Sequence, residues 1–165
     1  MNSTVEDQLL LAQEAAQLAG KIIVYRIGLT AISEKADNNL VTEADYAAQE
    51  AIITAIKDHY PDHYFLAEEN DLLANIEATN LWIIDPLDGT NNYAHKIPHF
   101  CVSIAYARLG QVEAGVVFDP VRNEMFSAMK IWDLSSMENR SMYRKQLPCR
   151  KRSSPPASIM IAGQS

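Results

Sequence analysis

The chain has 165 residues, 48% of them hydrophobic, and a formal net charge of −7. This length suits one domain with a sizeable core and is short for two. The acidic balance argues against a nucleic-acid or anionic-membrane surface, although cations bound to carboxylates can reverse the local charge. We therefore expect no nucleic-acid partner and no membrane partner.

The sequence also indicates a compartment. Cys101 and Cys149 are the only cysteines and lack metal-type spacing, which favours a reducing environment over a disulfide framework. The N-terminus has no basic region followed by an apolar stretch, and no apolar run is long enough to span a bilayer. We expect a cytoplasmic protein.

The composition changes near residue 130. Residues 1–130 hold 8 of the 14 basic and 19 of the 21 acidic side chains, a net charge of −11, which leaves +4 on residues 131–165. The second segment also lacks hydrophobic periodicity and is rich in serine. We predict an N-terminal metal-binding domain over 1–130 and an aberrant, disordered tail over 131–165.

Two helices are predicted at the start of the chain. Over residues 5–25 apolar residues recur at three- and four-residue steps, which gives a helix one buried face. A second helix starts at Thr42 with a capping-box-like pattern, and Asp45 lies in its first turn, where a carboxylate favours the helix dipole. This helix runs to about His59, and Pro61 ends it.

Short strand-like segments follow the helices. Gly110-Gln111 predicts one hairpin turn, and Asp119-Pro-Val-Arg-Asn123 predicts a second one. Two helices followed by a largely antiparallel sheet make a layered α+β fold. The predicted strands are 64–67, 81–84, 100–106, 113–118 and 124–128.

The most informative segment is Ile83-Ile-Asp-Pro-Leu-Asp-Gly-Thr90. Asp85 and Asp88 end a strand, and a helix is predicted to begin at Gly89, with Asp88 as its cap. The free N–H groups at the start of that helix form an anion site. Carboxylates beside an anion site require cations between them, and Mg²⁺ is a hard ion that prefers oxygen ligands.

A second acidic element, Glu68-Glu69, follows the preceding strand. If the two strands are neighbours, Glu68 reaches the same sheet edge as Asp85. Taken singly, each acidic residue is better explained by a solvated loop or by turn capping. The two strand ends together favour a site for metal and phosphate.

Several motifs follow one another in a fixed order along the chain. They are Leu40-Val-Thr-x-Ala-Asp45, Glu68-Glu69, Trp82-x-x-Asp-Pro-Leu-Asp-Gly-Thr-x-Asn-Tyr93, Pro98-x-Phe-x-Val-Ser-Ile104 and Gly115-Val-Val-x-Asp-Pro120. A run of this length is far more specific than one motif. It resembles the signature of the inositol monophosphatase family, which shares its fold with the fructose-bisphosphatase and bisphosphate nucleotidase groups. The resemblance implies a sugar-phosphatase fold of which this chain carries the N-terminal half.

The resemblance implies Mg²⁺-dependent, lithium-sensitive hydrolysis of a small phosphate monoester, with inositol 1-phosphate as the expected substrate. It implies two or three Mg²⁺ ions held by Glu68, Asp85, Asp88 and the backbone carbonyl of Leu87. Asn39 stands where many relatives have an aspartate, which argues against the third ion.

The resemblance also assigns catalytic roles. The amides of Gly89 and Thr90 bind the phosphate, and a water activated by the metal attacks it directly. Thr90, between Glu68 and Asp45, orients this water through its hydroxyl. Asp45 is equally explained as an ordinary first-turn acid.

Other residues receive structural interpretations. His95 and His99 are predicted to be surface histidines, and Trp82 and Phe100 are predicted to be core. In relatives a second half supplies another metal-binding aspartate and most contacts to the organic part of the substrate. Trp132-Asp133 comes directly after the sheet and receives no such role. The resemblance also allows a homodimer.

Two alternatives to an active phosphatase stay open. One is an inactive truncated product that retains partial metal binding. The other is a non-catalytic scaffold whose basic tail binds an acidic partner or nucleic acid.

We predict that residues 131–165 are read from a shifted frame. Joining the third base of each codon to the first two of the next turns Trp132-Asp133 and Met137-Glu138 into glycine and Met142-Tyr143 into valine, whatever the synonymous codons. The family continues with Gly-x-x-x-Asn-Gly-x-x-x-x-Val, which has these intervals. Resequencing the gene checks the hypothesis, and a stop within a few codons of the shifted frame contradicts it.

Overall fold

The computed structural model describes residues 4–26, 32–34, 40–67, 78–132 and 139–146. Two helices form one layer and a six-stranded sheet forms the other, so the predicted layered α+β fold is confirmed. No helix within the described ranges is both long and apolar enough to cross a membrane.

The first helix, α1 (Val5–Arg26), confirms the predicted one. Thr4 and Asp7 cap its start reciprocally: the Asp7 amide donates to Thr4 Oγ1, and the Thr4 amide donates to Asp7 Oδ2. Its buried face consists mainly of alanines and Gly20. A Cβ at Gly20 would lie 2.6 Å from the Phe118 ring, so the helix packs directly on the sheet.

The second helix, α2 (Glu43–His59), also agrees with the sequence. Ala48, Ile52 and Ile56 are fully buried. The helix ends two residues before Pro61, because a residue that precedes proline is disfavoured in the helical conformation. Before α2, strands β1 (Ile32–Glu34) and β2 (Leu40–Thr42) form an antiparallel ribbon that was not predicted.

The six strands lie side by side in the sheet in the same order as in the chain. Its first pair is parallel and the other four pairs are antiparallel, as the sequence predicted for most of the sheet. The last strand was not expected, because it lies in the segment predicted to be disordered. The division of the chain into two parts at residue 130 stays a prediction. The strands are β3 (Tyr64–Ala67), β4 (Asn80–Asp88), β5 (Cys101–Arg108), β6 (Gln111–Asp119), β7 (Glu124–Trp132) and β8 (Asn139–Gln146).

Two tight turns connect the central strands. Leu109 and Gly110 both have positive φ, 51° and 74°, which matches the right-handed twist of the strands they join. In the next turn, Oδ1 of Asp119 accepts the amides of Val121 and Arg122 at 2.9 Å. The second predicted turn is confirmed, and the first lies at 109–110, one residue before the predicted 110–111.

An aromatic cluster with one histidine lies near the start of β4. Trp82 Nε1 donates to His63 Nδ1 at 3.0 Å, and the His63 ring stacks on Tyr60 with centroids 4.5 Å apart. Burial lowers the pKa of His63, and the charge of Asp62 partly opposes this shift. Protonated His63 has a hydrogen on both nitrogens and cannot accept the indole N–H of Trp82.

We predict that acid destabilises the protein through His63. Because the pKa of His63 is lower in the folded state, its stabilising effect is complete above the unfolded value of 6.5 and is lost as pH falls below it. Urea unfolding followed by tryptophan fluorescence from pH 8 to about pH 5 measures this loss. In His63→Asn, which keeps an acceptor that does not titrate, the free energy of unfolding is expected to change less with pH. An equal change with pH in the two proteins would contradict the prediction.

Candidate metal and phosphate site

The end of β4 carries the two predicted metal-binding carboxylates. Asp85 pairs with Ser103 and Asp88 with Cys101 on β5, with an irregular register between the two pairs. Asp85 Oδ1 accepts the amide of Leu87 at 3.2 Å, so its carboxylate also shapes the backbone here. Asp88 is exposed and Asp85 partly exposed.

The thiol of Cys101 responds to the charge at this strand end. It donates a hydrogen bond to Asp88 Oδ2 at 3.6 Å. Burial first, and then the negative charges of Asp88, Asp85 and Asp119, raise the pKa of Cys101 to about 12. The negative charges of three carboxylates therefore reach this thiol, and negative charge attracts cations.

The donor atoms at this strand end are of the type that Mg²⁺ prefers. Asp85, Asp88 and the carbonyl of Leu87 supply only oxygen within four consecutive residues, and hard divalent cations prefer oxygen. Across the ranges that the structure describes, no group of three or more His, Cys, Asp or Glu side chains is arranged to hold a metal ion. The predicted ligand Glu68 and its neighbour Glu69 lie outside these ranges.

The strand pairing that the Glu68 prediction requires is present. β3 is parallel to β4, and Ala67 lies opposite Ile84. Glu68 follows Ala67 in the chain as Asp85 follows Ile84. Parallel neighbouring strands end at the same edge of a sheet, so the topology is the one on which the prediction depends. The metal-binding and catalytic roles of Glu68 stay predictions.

Gly89 turns the chain from β4 into the short helix α3 (Thr90–Ala94). Its φ is 97°, and a Cβ there would lie 3.0 Å from the carbonyl oxygen of His99. Gly89 is the N-cap, and α3 has no side-chain cap, so the prediction that Asp88 caps it is wrong. Asp88 still belongs to β4, and its carboxylate accepts the thiol hydrogen of Cys101 instead.

The structure joins two predicted site residues directly. Thr90 Oγ1 donates to the backbone oxygen of Leu87 at 3.0 Å. The predicted catalytic hydroxyl thus lies against the predicted metal-binding carbonyl. A threonine hydroxyl also has lone pairs with which it can accept hydrogen bonds.

Asp45 lies in the first turn of α2, as predicted, and its side chain is only 2% exposed. Burial of a carboxylate is costly unless surrounding groups stabilise it, and the positive end of the α2 dipole is one such influence. β2 contacts α3 and leads directly into α2. The catalytic role of Asp45 stays a prediction.

A cavity of about 420 Å³ opens beside Asp88 and Gly89. The sequence did not predict that Asn92, Cys101 and Asp119 line the site. Cys101 could have been expected at the site only if the strand register had been known, because Cys101 lies opposite Asp88 in the β4–β5 pair. The full lining is Asp88, Gly89, Asn92, His99, Phe100, Cys101, Val117, Asp119 and Phe126.

The interpretations of four flanking residues are confirmed. His95 and His99 are exposed. Trp82 and Phe100 are buried, at 0% and 4% exposure. Asn39, which bears on a third ion, lies outside the described residues, as does Asp133.

We predict that Gly89→Ala destabilises the fold by about 1–2 kcal/mol or more, because an L-residue is strained at this φ and its Cβ would press on His99. Gly115→Ala is the matched control, since a Cβ there meets nothing within 4 Å. Urea denaturation of both variants measures the difference in free energy of unfolding. Equal stabilities would contradict the prediction.

The chain is similar in sequence and in fold to known proteins. The chain is 43% identical over 125 residues to Nus factor SuhB of Pasteurella multocida, which covers 74% of the chain and 47% of the relative. It resembles a solved Thermotoga maritima IMPase at a TM-score of 0.71 and 30% identity, covering 85% of this chain and 52% of that one. It also resembles SaIMPase-II with inositol monophosphate bound, at a TM-score of 0.60 and 31% identity, covering 72% of this chain and 42% of that one.

The chain thus spans about half the length of the curated relatives it matches. The match to the family itself runs over residues 5–164 and extends past residue 130 into the predicted tail. The motifs, the layered fold and this match agree, and the chain belongs to the inositol monophosphatase family.

Proposed function

We propose that the chain carries the metal- and phosphate-binding part of an Mg²⁺-dependent phosphatase, with inositol 1-phosphate as the expected substrate. The family supports a phosphatase lineage. The observation that carries the proposal is the position of Asp85, Asp88 and the Leu87 carbonyl at the end of β4, beside the Gly89 turn and the Thr90 hydroxyl. SaIMPase-II with inositol monophosphate bound supports the choice of substrate.

Asp85, Asp88, the Leu87 carbonyl and Glu68 would hold two or three Mg²⁺ ions. Bound Mg²⁺ lowers the pKa of a water molecule and offsets charge on the leaving oxygen. The carboxylates by themselves repel a phosphate, so phosphate binding at this strand end depends on the cation. Li⁺ is expected to inhibit, as in the family.

Thr90 orients the attacking water in this proposal. Its hydroxyl hydrogen is directed at Leu87, so its oxygen accepts a hydrogen bond from the water. The carboxylates of Glu68 and Asp45 would accept the proton of this water, while Thr90 orients it. The amides of Gly89 and Thr90 contact the phosphate.

The partners follow from the same site. A cavity of about 420 Å³ next to Asp88 suits a small phosphorylated metabolite. We further propose a cytoplasmic protein with no membrane partner and no nucleic-acid partner. A homodimer is compatible with the family resemblance.

A role in transcription is the second candidate, because the Pasteurella multocida relative carries the name Nus factor SuhB. The charge of −11 on residues 1–130 is unfavourable for contact with nucleic acid, so a protein partner or the basic residues 131–165 would carry such a role. A salt-sensitive RNA complex that disappears on deletion of 131–165 would favour this candidate over catalysis.

The catalytic proposal predicts that Asp88→Asn abolishes Mg²⁺ binding and lowers phosphate release from inositol 1-phosphate by about a hundredfold or more. Thermal unfolding with and without Mg²⁺ measures binding independently of turnover. Asp58→Asn, an exposed site on α2, is the matched control and should behave as the unmodified chain.

The outcomes separate the hypotheses. Mg²⁺-dependent stabilisation without turnover identifies the inactive product that retains partial metal binding. A soluble chain that Mg²⁺ neither stabilises nor activates contradicts the phosphatase proposal for these 165 residues.

A further inference from the structure

Tyr93 of α3 is bonded to the C-terminal end of α1. Its hydroxyl donates to the backbone oxygen of Ile23 at 2.9 Å, and both residues are buried. α1 ends at Arg26, so Ile23 lies in the last turn of the helix. Tyr93 therefore binds the last turn of α1 from a position seventy residues further along the chain.

The opposite side of α3 is held as well. The Tyr93 ring packs edge-on against Phe100, with centroids 5.2 Å apart. Asn92 Nδ2 donates to the carbonyl oxygen of His99 at 2.8 Å. His99 and Phe100 are the residues that a Cβ on Gly89 would meet. α3 is thus fixed between α1 and the segment that packs on the turn.

We propose that Tyr93 is a positioning residue whose bond to Ile23 sets the orientation of the Gly89–Thr90 amides. The Tyr93 amide donates to the Gly89 carbonyl at 3.0 Å, and the five-residue helix is little more than one turn, so a shift of Tyr93 moves Thr90 with it. The inference rests on the proposed function in one respect, because it takes these amides as the phosphate site.

The chain provides a matched control. Tyr106 also makes a hydroxyl bond, to Asn80 Oδ1 at 2.6 Å, and is 3% exposed, against 2% for Tyr93. Asn80 begins β4, whereas Asp88 ends it, so this bond lies at the far end of the strand. Tyr93→Phe and Tyr106→Phe remove the same chemical group, and we expect similar losses of stability.

Two measurements test the proposal. Calorimetric titration with inorganic phosphate in saturating Mg²⁺ should show about threefold to tenfold weaker binding in Tyr93→Phe, from the loss of one hydrogen bond, and unchanged binding in Tyr106→Phe. Amide hydrogen exchange should become faster at residues 89–93 in Tyr93→Phe alone.

Equal phosphate affinity in the two variants overturns the inference. Exchange that becomes faster throughout the sheet and helices of Tyr93→Phe also overturns it, because the bond would then support the whole fold. If the unmodified chain binds no phosphate with Mg²⁺, the proposed function fails, and exchange at residues 89–93 alone decides whether Tyr93 positions the turn.

Discussion

The candidate site depends on a tight chain reversal at Gly89. Its left-handed φ and the close approach of His99 leave no room for a side chain, so β4 passes into α3 with no intervening loop. Because only Gly89 separates the two elements, the acidic end of β4 adjoins the start of α3, which carries the Thr90 hydroxyl. A longer connection would separate the acidic strand end from the helix that carries the phosphate-binding amides.

The helix layer holds this reversal in place. The alanines and Gly20 of α1 let the helix lie directly on β6, against the Phe118 ring. This close packing fixes the end of α1, where Ile23 accepts the Tyr93 hydroxyl. The hydrophobic core and the polar site are therefore coupled. A change in how α1 lies on the sheet is transmitted to α3 through one buried hydrogen bond.

Local patterns explain which elements could be predicted and which could not. Both helices and the strand from Tyr64 to Ala67 follow from periodicity and from the stop at Pro61. β1 and β2 are three residues each, too short for a repeating pattern, and β8 lies in a segment without one. The Asp88 cap failed because a left-handed glycine took the capping position. Both β8 and the family match extend into the segment predicted to be frameshifted, and that hypothesis stays open until the gene is resequenced.

The sequence by itself determined the lineage, the two helices and the acidic strand end, because motif order and hydrophobic periodicity are properties of neighbouring residues. Only the tertiary structure decided that Cys101 meets Asp88, that Asp45 is buried and that Tyr93 is bonded to Ile23. These contacts depend on strand register and on how helices pack across the sheet, and residues far apart in the chain set both. Asp85-Pro-Leu-Asp88-Gly-Thr90 therefore identifies the site, while the packing around it determines its geometry.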